Sequence, residues 1–395
     1  MPTAVHKKTH HHQQRPQFEC IALLLQGGGA LGAYQAGVYE ALAEAGIHPD
    51  WVAGISIGAI NSAIIAGNAP DKRVEKLRQF WELVTFDATG EASSAASQRF
   101  HPFMPIEGDA MRAFASRVNA GWTALRGVSG FFVPRFPSPV LYPHGAPEAT
   151  SFYDTSPFLR TLESLVDFDR INSEAVRFSV GAVNVRTGNF VYFDTTTHTI
   201  RPEHVMASGA LPPGFGAIEI EGEYYWDGGL VSNTPFQWVA DSRPRLNTLA
   251  FQVDLWSARG NVPGNLNEVE TRRKDIVYSS RTRAGTDSFK YAQRIRNTVA
   301  DLLDKLPDDL KDCPEAKVLS AVADRKGYNI VHLIYRAREY ESHSKDYDFS
   351  RSRMEAHWRA GYNDTIRTLR HPKVLEPLRN NEGVVTFDLE NDGQE

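Results

Sequence analysis

The feature that most constrains the fold is a stretch without any charged side chain, residues 51–70 (WVAGISIGAINSAIIAGNAP). Its length is about that of a membrane-spanning helix. However, glycines and the polar side chains of Ser56, Asn61, Ser62 and Asn68 interrupt the apolar surface that hydrocarbon requires. We therefore predict a buried strand that turns at Ser56 into a buried helix.

The preceding segment repeats this strand–turn–helix arrangement. An apolar run at 21–25 (IALLL) is followed by three glycines at 27–29, and apolar residues at helical spacing come next. Two such units in succession predict an α/β fold built on a mostly parallel sheet. Further predicted elements are a hairpin at 176–194, strands at 248–256 and 329–336, and a helix at 350–370.

The pattern divides the chain into three parts. Residues 1–18 are polar and His-rich, and we predict a disordered tail whose run of histidines is solvated and binds no metal. Residues 19–258 carry the strand–helix pattern, which a Pro- and aromatic-rich insertion at 87–152 interrupts. Residues 259–395 form an extension of mixed pattern that we expect to pack on this domain.

Two segments outside the strand–helix units carry unusual side chains. Residues 120–136 accumulate aromatic and aliphatic side chains with few charges, which is typical of a lid over an acyl pocket, of a membrane contact, or of ordinary core. Basic residues cluster at 272–283, where solvated surface and contact with anionic headgroups both fit the pattern.

The charge balance excludes some classes of partner. The chain has 43 basic and 48 acidic residues and a formal net charge of −5, so it lacks the chain-wide positive field that binds nucleic acid. The two cysteines, Cys20 and Cys313, form no disulfide framework, and the N-terminus has no apolar export signal. These features predict a cytoplasmic protein.

The motif GISIG at 54–58 places Ser56 between two glycines, at the predicted change from strand to helix. Such a turn strains the backbone and exposes the serine hydroxyl, while small flanking residues leave room for a reacting carbonyl. The following helix N-terminus favours developing negative charge. Ser56 is therefore a candidate nucleophile.

A second glycine motif, GGGALG at 27–32, directly follows the first strand. It matches the phosphate-binding loop of dinucleotide-binding folds, and Asp50 lies near the expected position of a ribose-binding acid. That acid belongs at the end of the second strand, whereas Asp50 precedes it. We favour the alternative, in which the loop points free backbone amides at an oxyanion beside Ser56.

A serine nucleophile requires a base. No histidine lies in a triad-like context, and the best candidate is Asp227 in the sequence YWDGG at 225–229. An aspartate of ordinary pKa is a weak base at neutral pH, so it would act through proximity in a sheltered site. The alternative is that Asp-Gly-Gly forms only a turn.

These motifs together resemble those of a known family. GGGALGAYQAG at 27–37, GISIG at 54–58 and DGG at 227–229, in this order, are similar to the three hallmark motifs of the patatin-like phospholipases. SGALPPGF at 208–215 and SNTPF at 232–236 resemble stretches that the family places around its base motif. The resemblance covers about residues 20–256.

The resemblance implies a three-layer α/β fold whose mostly parallel sheet is flanked by helices. It further implies a serine–aspartate dyad with Ser56 as nucleophile and Asp227 as base, and an oxyanion hole formed by the amides of Gly28, Gly29 and Ala30. The residues it assigns to support of these motifs are Gly27, Gly32, Gly54, Gly58, Gly228 and Gly229.

The resulting hypothesis is a lipid acyl hydrolase that forms an acyl-enzyme on Ser56 and uses neither metal nor cofactor. Its partners would be lipid or other acyl-ester substrates, with peripheral contact to a membrane or lipid-droplet surface. One alternative is a transacylase with the same dyad, although related acyltransferases usually carry a histidine where this chain has Ile55. The other is a nucleotide-binding protein that uses the loop at 27–32.

Overall fold

The computed structural model describes residues 15–86, 119, 121–336, 345–378 and 383–388. Its strands are β1 Cys20–Leu25, β2 Trp51–Gly54, β3 Val133–Pro134, β4 Tyr153–Asp154, β5 Arg177–Asn184, β6 Phe190–Asp194, β7 Ile218–Ile220, β8 Glu223–Asp227, β9 Thr248–Asp254, β10 Tyr328–Ile334 and β11 Val384–Phe387. Its α-helices are α1 Ala33–Glu44, α2 Ile57–Ala66, α3 Arg73–Leu83, α4 Ser156–Leu165, α5 Phe168–Asn172, α6 Pro202–Ser208, α7 Phe236–Asp241, α8 Leu266–Asp304, α9 Asp308–Lys311, α10 Pro314–Val322 and α11 Arg351–Leu369.

The described strands other than β3 and β4 form one sheet, in the order β11-β10-β9-β1-β2-β5-β8-β7, with β6 also paired to β5. From β11 to β5 the neighbours are parallel, whereas the pairs β5–β6, β5–β8 and β7–β8 are antiparallel. The predicted α/β fold with a mostly parallel sheet flanked by helices is therefore confirmed. The central strands β1, β2 and β9 are buried along their whole length, as expected where both faces of a sheet are covered.

The register of the central strands brings their carboxyl ends together. Leu25 at the end of β1 lies opposite Gly54 in β2 and Val253 in β9. The loops that follow these strands therefore open at one edge of the sheet, which is where ligands of open parallel sheets bind.

The extension continues the sheet, which is a closer association than packing on its outside. β10 pairs in parallel with β9, and β11 pairs with β10. The predicted boundary at 258 therefore falls between two neighbouring strands of one sheet. Of the basic residues at 272–283, Arg272 and Lys274 are partly buried, and the side chains of Arg281 and Arg283 lie outside the described residues.

Helix α11, also from the extension, packs directly on α1. A Cβ atom at Gly37 would collide with the backbone oxygen of Trp358, and one at Gly361 would collide with that of Tyr34, so each helix needs glycine at the crossing. The indole nitrogen of Trp358 donates a hydrogen bond of 2.5 Å to a carboxylate oxygen of Glu40. The extension is thus joined to the N-terminal unit on the helical layer as well as in the sheet.

Two predictions overlap the limits of the description. Residues 1–14 and 87–118 lie outside the described residues, and residues 15–18 of the predicted disordered tail are folded. Phe18 is buried, and Arg15 forms an ion pair with Asp50. No helix within the described residues is long and apolar enough to cross a membrane.

Candidate active site

The loop after β1 is fixed at its base by the side chain of Gln26, which is fully buried. Its amide oxygen accepts hydrogen bonds from the backbone N–H groups of Leu255, at 2.6 Å, and Trp256, at 3.1 Å. Its amide nitrogen donates to the hydroxyl of Thr234 at 3.0 Å. A buried side-chain amide requires hydrogen-bond partners. Gln26 finds them in the loop after β9 and at Thr234, and so links both to the loop after β1.

The next residue, Gly27, is held through its backbone. Its carbonyl oxygen accepts hydrogen bonds from Asn233 Nδ2 at 3.0 Å and from Trp256 Nε1 at 2.8 Å, and its N–H donates to the Asn233 carbonyl at 3.4 Å. Gly27 is therefore an anchor of the loop and not one of its free donors. Gly32, further along, packs so closely on Ile57 that a Cβ atom there would collide with that side chain.

The backbone amides of Gly28, Gly29 and Ala30 follow this anchor. Among the residues that the structure describes, none accepts a hydrogen bond from these three N–H groups. Gly29 has a φ of 55°, a conformation that favours glycine. Successive amides in such a turn, without protein acceptors, form a concavity suited to an anionic oxygen.

Ser56 occupies the turn between β2 and α2 and has a φ of 54° and a ψ of −124°. A non-glycine residue in this region carries backbone strain of about 1–3 kcal/mol. The turn is possible because Gly54 and Gly58 lack side chains: a Cβ atom at Gly54 would collide with the backbone of Gly58, and one at Gly58 with the backbone of Leu25. This is the geometry of a nucleophile elbow.

A second serine, which sequence reasoning did not single out, supports the elbow. The N–H of Ser56 donates to Ser208 Oγ at 3.1 Å, and Ser208 Oγ donates to the carbonyl oxygen of Gly181 at 2.7 Å. Ser208 is fully buried at the end of α6. It therefore connects the strained turn to β5, and SGALPPGF at 208–215 was the sequence signal for it.

Asp227 ends β8 and is only 2% exposed. Its carboxylate accepts a hydrogen bond of 2.7 Å from the N–H of Gly229, and it lines the same cavity as Ser56. Burial raises the pKa of Asp227 from 3.8 to about 6, against the opposing effects of the Ser56 side chain and the Gly229 N–H. Gly228 and Gly229 form the turn after β8, and Gly228 packs against the backbone of Gly181.

A cavity opens above these groups. Ser56 and Asp227 lie in its wall together with Gly27, Gly28 and Gly29. The remaining lining is mostly apolar and aromatic, and consists of Ile57, Ile60, Phe131, Phe132, Gly209, Leu211, Phe215, Gly229, Asn233, Trp256, Tyr278, Asp346, Tyr347 and Phe349.

The lining bears on two open questions from the sequence. Phe131 and Phe132, in the segment 120–136, are buried and face the cavity, so this part of the insertion is a pocket wall. Asp346, Tyr347 and Phe349 come from the extension, and no sequence pattern marked them. No described histidine lines the cavity, and the described residues contain no cluster of three His, Cys, Asp or Glu suited to a metal.

The position of Asp50 argues against a nucleotide site at the glycine loop. Asp50 precedes β2, at the opposite end of the sheet from the loop at 27–32. Its carboxylate accepts a hydrogen bond of 2.7 Å from the N–H of Ile21 and pairs with Arg15. It therefore lies too far along the strand to reach a ligand held by that loop.

Comparison with known proteins places two family models on the chain. The model described as Patatin-like phospholipase matches residues 23–239, and one described as Patatin phospholipase, DUF3734, matches residues 276–381. The first match spans the two glycine motifs and Asp227, and the second spans most of the extension.

The chain spans only a small part of the length of the curated relatives that it matches. "Lysophospholipase NTE1" of Yarrowia lipolytica is 25% identical over 254 residues, which cover 63% of this chain and 14% of that protein. "Patatin-like phospholipase domain-containing protein 7" of Rattus norvegicus is 54% identical over 46 residues, 12% of this chain and 3% of that protein. Among solved structures, VipD from Legionella pneumophila is 15% identical with a TM-score of 0.38, covering 90% of this chain and 67% of that one.

Proposed function

Because the chain belongs to the patatin-like phospholipase family, we propose that it is a lipid acyl hydrolase that cleaves carboxylic esters with Ser56 as nucleophile and Asp227 as general base. The observation that carries this proposal is that Ser56, in its strained turn, and the buried Asp227 carboxylate line one mostly apolar pocket beside three amides without an acceptor among the described residues. This arrangement supplies a nucleophile, a base and oxyanion donors at one point.

In the proposed first step, Ser56 Oγ attacks the ester carbonyl carbon while its proton passes to an Asp227 carboxylate oxygen. The carbonyl oxygen becomes an oxyanion, and the amides of Gly28, Gly29 and Ala30 donate hydrogen bonds to it. Collapse of the tetrahedral intermediate breaks the bond to the alcohol, which leaves with the proton held by Asp227. The acyl group remains esterified to Ser56.

Hydrolysis of the acyl-enzyme repeats these roles with water. Asp227 takes a proton as water attacks the acyl carbonyl, the same amides hold the second oxyanion, and the proton returns to Ser56 Oγ as the fatty acid leaves. A base with a pKa of about 6 suits both directions of proton transfer, because it is ionised at neutral pH and is still basic enough to accept the proton.

The apolar walls support a fatty acyl chain as the substrate's acid part. Ile60, Phe131, Phe132 and Phe215 surround the cavity beside Ser56, and burial of a methylene group contributes about 0.8 kcal/mol. Affinity for esters should therefore rise with acyl length until the cavity is filled.

The direct test compares wild type with Ser56→Ala on a series of p-nitrophenyl esters of increasing acyl length and with a fluorophosphonate probe. We expect Ser56→Ala to lose both ester cleavage and covalent labelling. Ser62→Ala is the matched control, because Ser62 is buried in α2, the helix that follows Ser56, and its hydroxyl has no hydrogen-bond partner among the described residues. A folded Ser56→Ala protein that retained either activity would exclude the assignment, and added alcohols would distinguish acyl transfer from hydrolysis.

We also propose that the outer face of residues 121–152 contacts the lipid surface from which substrate is drawn. This segment forms the Phe131–Phe132 wall, and the same segment exposes large apolar side chains to solvent. They are Trp122 48%, Leu125 75%, Phe136 96%, Val140 81%, Leu141 72% and Phe152 50% exposed. The charged residues of this segment are Arg126, Arg135 and Glu148, a net positive charge that favours an anionic lipid surface.

This proposal is tested by sedimentation with vesicles of phosphatidylglycerol or of phosphatidylcholine. We expect Phe136→Ser combined with Leu141→Ser to lower binding to phosphatidylglycerol vesicles and to lower the ratio of vesicle to monomeric-ester hydrolysis. Leu310→Ser is the control, since Leu310 is an exposed leucine outside this segment. Equal vesicle binding by wild type and the double variant would contradict the proposal.

A further inference from the structure

Two ion pairs beside the candidate active site connect helix α8 to the short turn at 345–347, and both of these elements belong to the extension. Lys274 Nζ lies 2.9 Å from both carboxylate oxygens of Asp346, and Lys345 Nζ lies 2.8 Å from Asp275 Oδ1. Lys274 and Asp275 are neighbours in α8, and Lys345 and Asp346 are neighbours in the short turn at 345–347. Both segments carry lysine followed by aspartate, so both pairs form only when the turn lies antiparallel to the helix.

These pairs are shielded from solvent. The side chains of Lys345 and Asp346 are 4% and 13% exposed, and those of Lys274 and Asp275 are 24% and 15% exposed. Desolvated charges are costly to leave unpaired, whereas an exposed pair can separate at little cost. The turn should therefore be held firmly against α8.

The turn contacts the glycine loop directly. A Cβ atom at Gly29 would collide with the backbone carbonyl of Asp346, so residue 346 lies against the loop at its left-handed position. Lys345 Nζ also lies 5.0 Å from the ring centre of Trp256, whose indole N–H donates to the Gly27 carbonyl. Residue 346 thus contacts the loop at Gly29, and residue 345 contacts the indole that holds Gly27, so the two residues act on either side of Gly28.

The N–H groups of Gly28, Gly29 and Ala30 have no acceptor among the described residues, so their direction depends on what holds the neighbouring peptide planes. Hydrogen bonds to the Gly27 and Gly28 carbonyls orient the first two planes, and the close contact with Asp346 restricts the loop at Gly29. Oxyanion donors act only if they are held within about 0.5 Å of the productive position. A displacement of the turn at 345–347 would therefore weaken oxyanion stabilisation without removing any group of the dyad.

We propose that residues 345–349, held to α8 by the Lys274–Asp346 and Lys345–Asp275 pairs, are a positioning element that sets the geometry of the oxyanion loop. The extension would then be part of the catalytic machinery through its contact with Gly29. This inference rests on the proposed function for its kinetic consequence, while the structural consequence, an ordered loop at 26–32, can be measured independently.

The test uses a charge exchange in the full-length chain. Lys274→Asp leaves three carboxylates and one lysine at the four paired positions. Adding Asp346→Lys restores two pairs of opposite charge between the helix and the turn. We expect Lys274→Asp to lower kcat on a monomeric ester about tenfold or more, less than the loss of one whole oxyanion donor. KM should change by less than about threefold, and the double variant should recover at least half of the loss on a logarithmic scale.

A second readout does not depend on catalysis. Hydrogen–deuterium exchange of the peptide covering 26–32 should quicken in Lys274→Asp and return towards wild type in the double variant, because the N–H groups of Gly27 and Leu31 are hydrogen-bonded there. Lys274→Met gives a neutral single variant if Lys274→Asp does not fold. The control is Glu270→Arg, which breaks an exposed pair with Arg273 on the same helix and should change neither readout.

The outcomes separate the two proposals. Unchanged exchange at 26–32 in the folded single variant, or the same kcat loss in single and double variants, would overturn the positioning role. Absence of ester hydrolysis and of fluorophosphonate labelling in wild type would instead refute the proposed function, and the exchange measurement would still decide whether the turn orders the loop.

Discussion

Replacement of Asp227 by asparagine should abolish ester hydrolysis and at the same time stabilise the protein at neutral pH. Burial raises the pKa of this carboxyl from 3.8 to about 6, so the ionised form is disfavoured in the folded state. The difference between these values corresponds to about 3 kcal/mol at pH 7. Asparagine keeps an acceptor oxygen for the N–H of Gly229 and carries no charge, so it should regain most of this free energy.

The pH dependence of the unfolding free energy shows whether ionised Asp227 stabilises or destabilises the folded protein. The pKa of Asp227 is higher in the folded than in the unfolded protein. The contribution of Asp227 to the unfolding free energy of wild type therefore falls as pH rises from about 4 to about 6. The difference between Asp227→Asn and wild type should therefore be small near pH 4 and should approach its full value above pH 6. For the same reason kcat/KM of wild type should rise about tenfold between pH 5 and pH 7, as the base ionises.

The assay is urea unfolding at several pH values between 4 and 7.5, followed by tryptophan fluorescence. Asp194→Asn is a control of opposite sign: burial favours its neutral form, but hydrogen bonds from Arg177, Ser179 and Thr196 lower its pKa to about 2. That variant should be destabilised at pH 7, by an amount that shrinks as pH falls from about 4 towards 2. An Asp227→Asn protein less stable than wild type at pH 7 would refute the reasoning.

Two further changes probe the supports of the site. Gly361→Val should lower the melting temperature by several degrees or prevent folding, because its side chain would collide with the backbone of Tyr34 where α11 crosses α1; a melting temperature within about 1 °C of wild type would contradict this packing. Ser208→Ala removes the acceptor of the Ser56 N–H, which we expect to cost about 1–3 kcal/mol of unfolding free energy and about tenfold in kcat. Steady-state kinetics and urea unfolding measure both effects, and unchanged values would show that Ser208 does not support the elbow.

The sequence predicted the strand–turn–helix units well because their information is local. The apolar runs before Gly27 and Gly54 have the length of buried strands, and each loop must begin where its strand ends. Since β1 and β2 are parallel neighbours, the two loops then meet at one edge of the sheet without any further information. The prediction that the glycine loop and Ser56 lie together therefore followed from periodicity and topology alone.

The approach of Asp227 to Ser56 depended on a longer-range feature. Asp227 ends a strand that pairs antiparallel with β5, opposite Ala182, and β5 pairs with β2. Local pattern gives the strand and the turn but not its neighbour in the sheet. The resemblance in motif order carried that part of the prediction, and Asp-Gly-Gly alone would have been consistent with a simple turn.

The contribution of the extension could not be read from the sequence, because it consists of pairings between distant residues. Lys274 and Asp346 are separated by 72 positions, and each stands in a polar stretch typical of solvated surface. The solvated-surface interpretation of 272–283 was incomplete, since Lys274 is paired beside the pocket and Arg272 donates to the carbonyl oxygens of Ser257 and Ala258. Charge pattern gives the sign of a residue but not its partner.

The same contrast explains which parts of the candidate site left a signature in the sequence. Ser56 has a strained backbone and Asp227 a buried carboxyl, and each lowers the free energy of unfolding by an amount in the range of about 1–3 kcal/mol. Such positions restrict the neighbouring residues to glycine, which produces a recognisable motif. The groups that offset this cost, Gln26, Asn233 and Ser208, do so through hydrogen bonds to residues distant in the sequence, which any sequence of suitable fold could supply elsewhere. A motif search will therefore find the reacting groups of such a site and miss the residues that hold them in place.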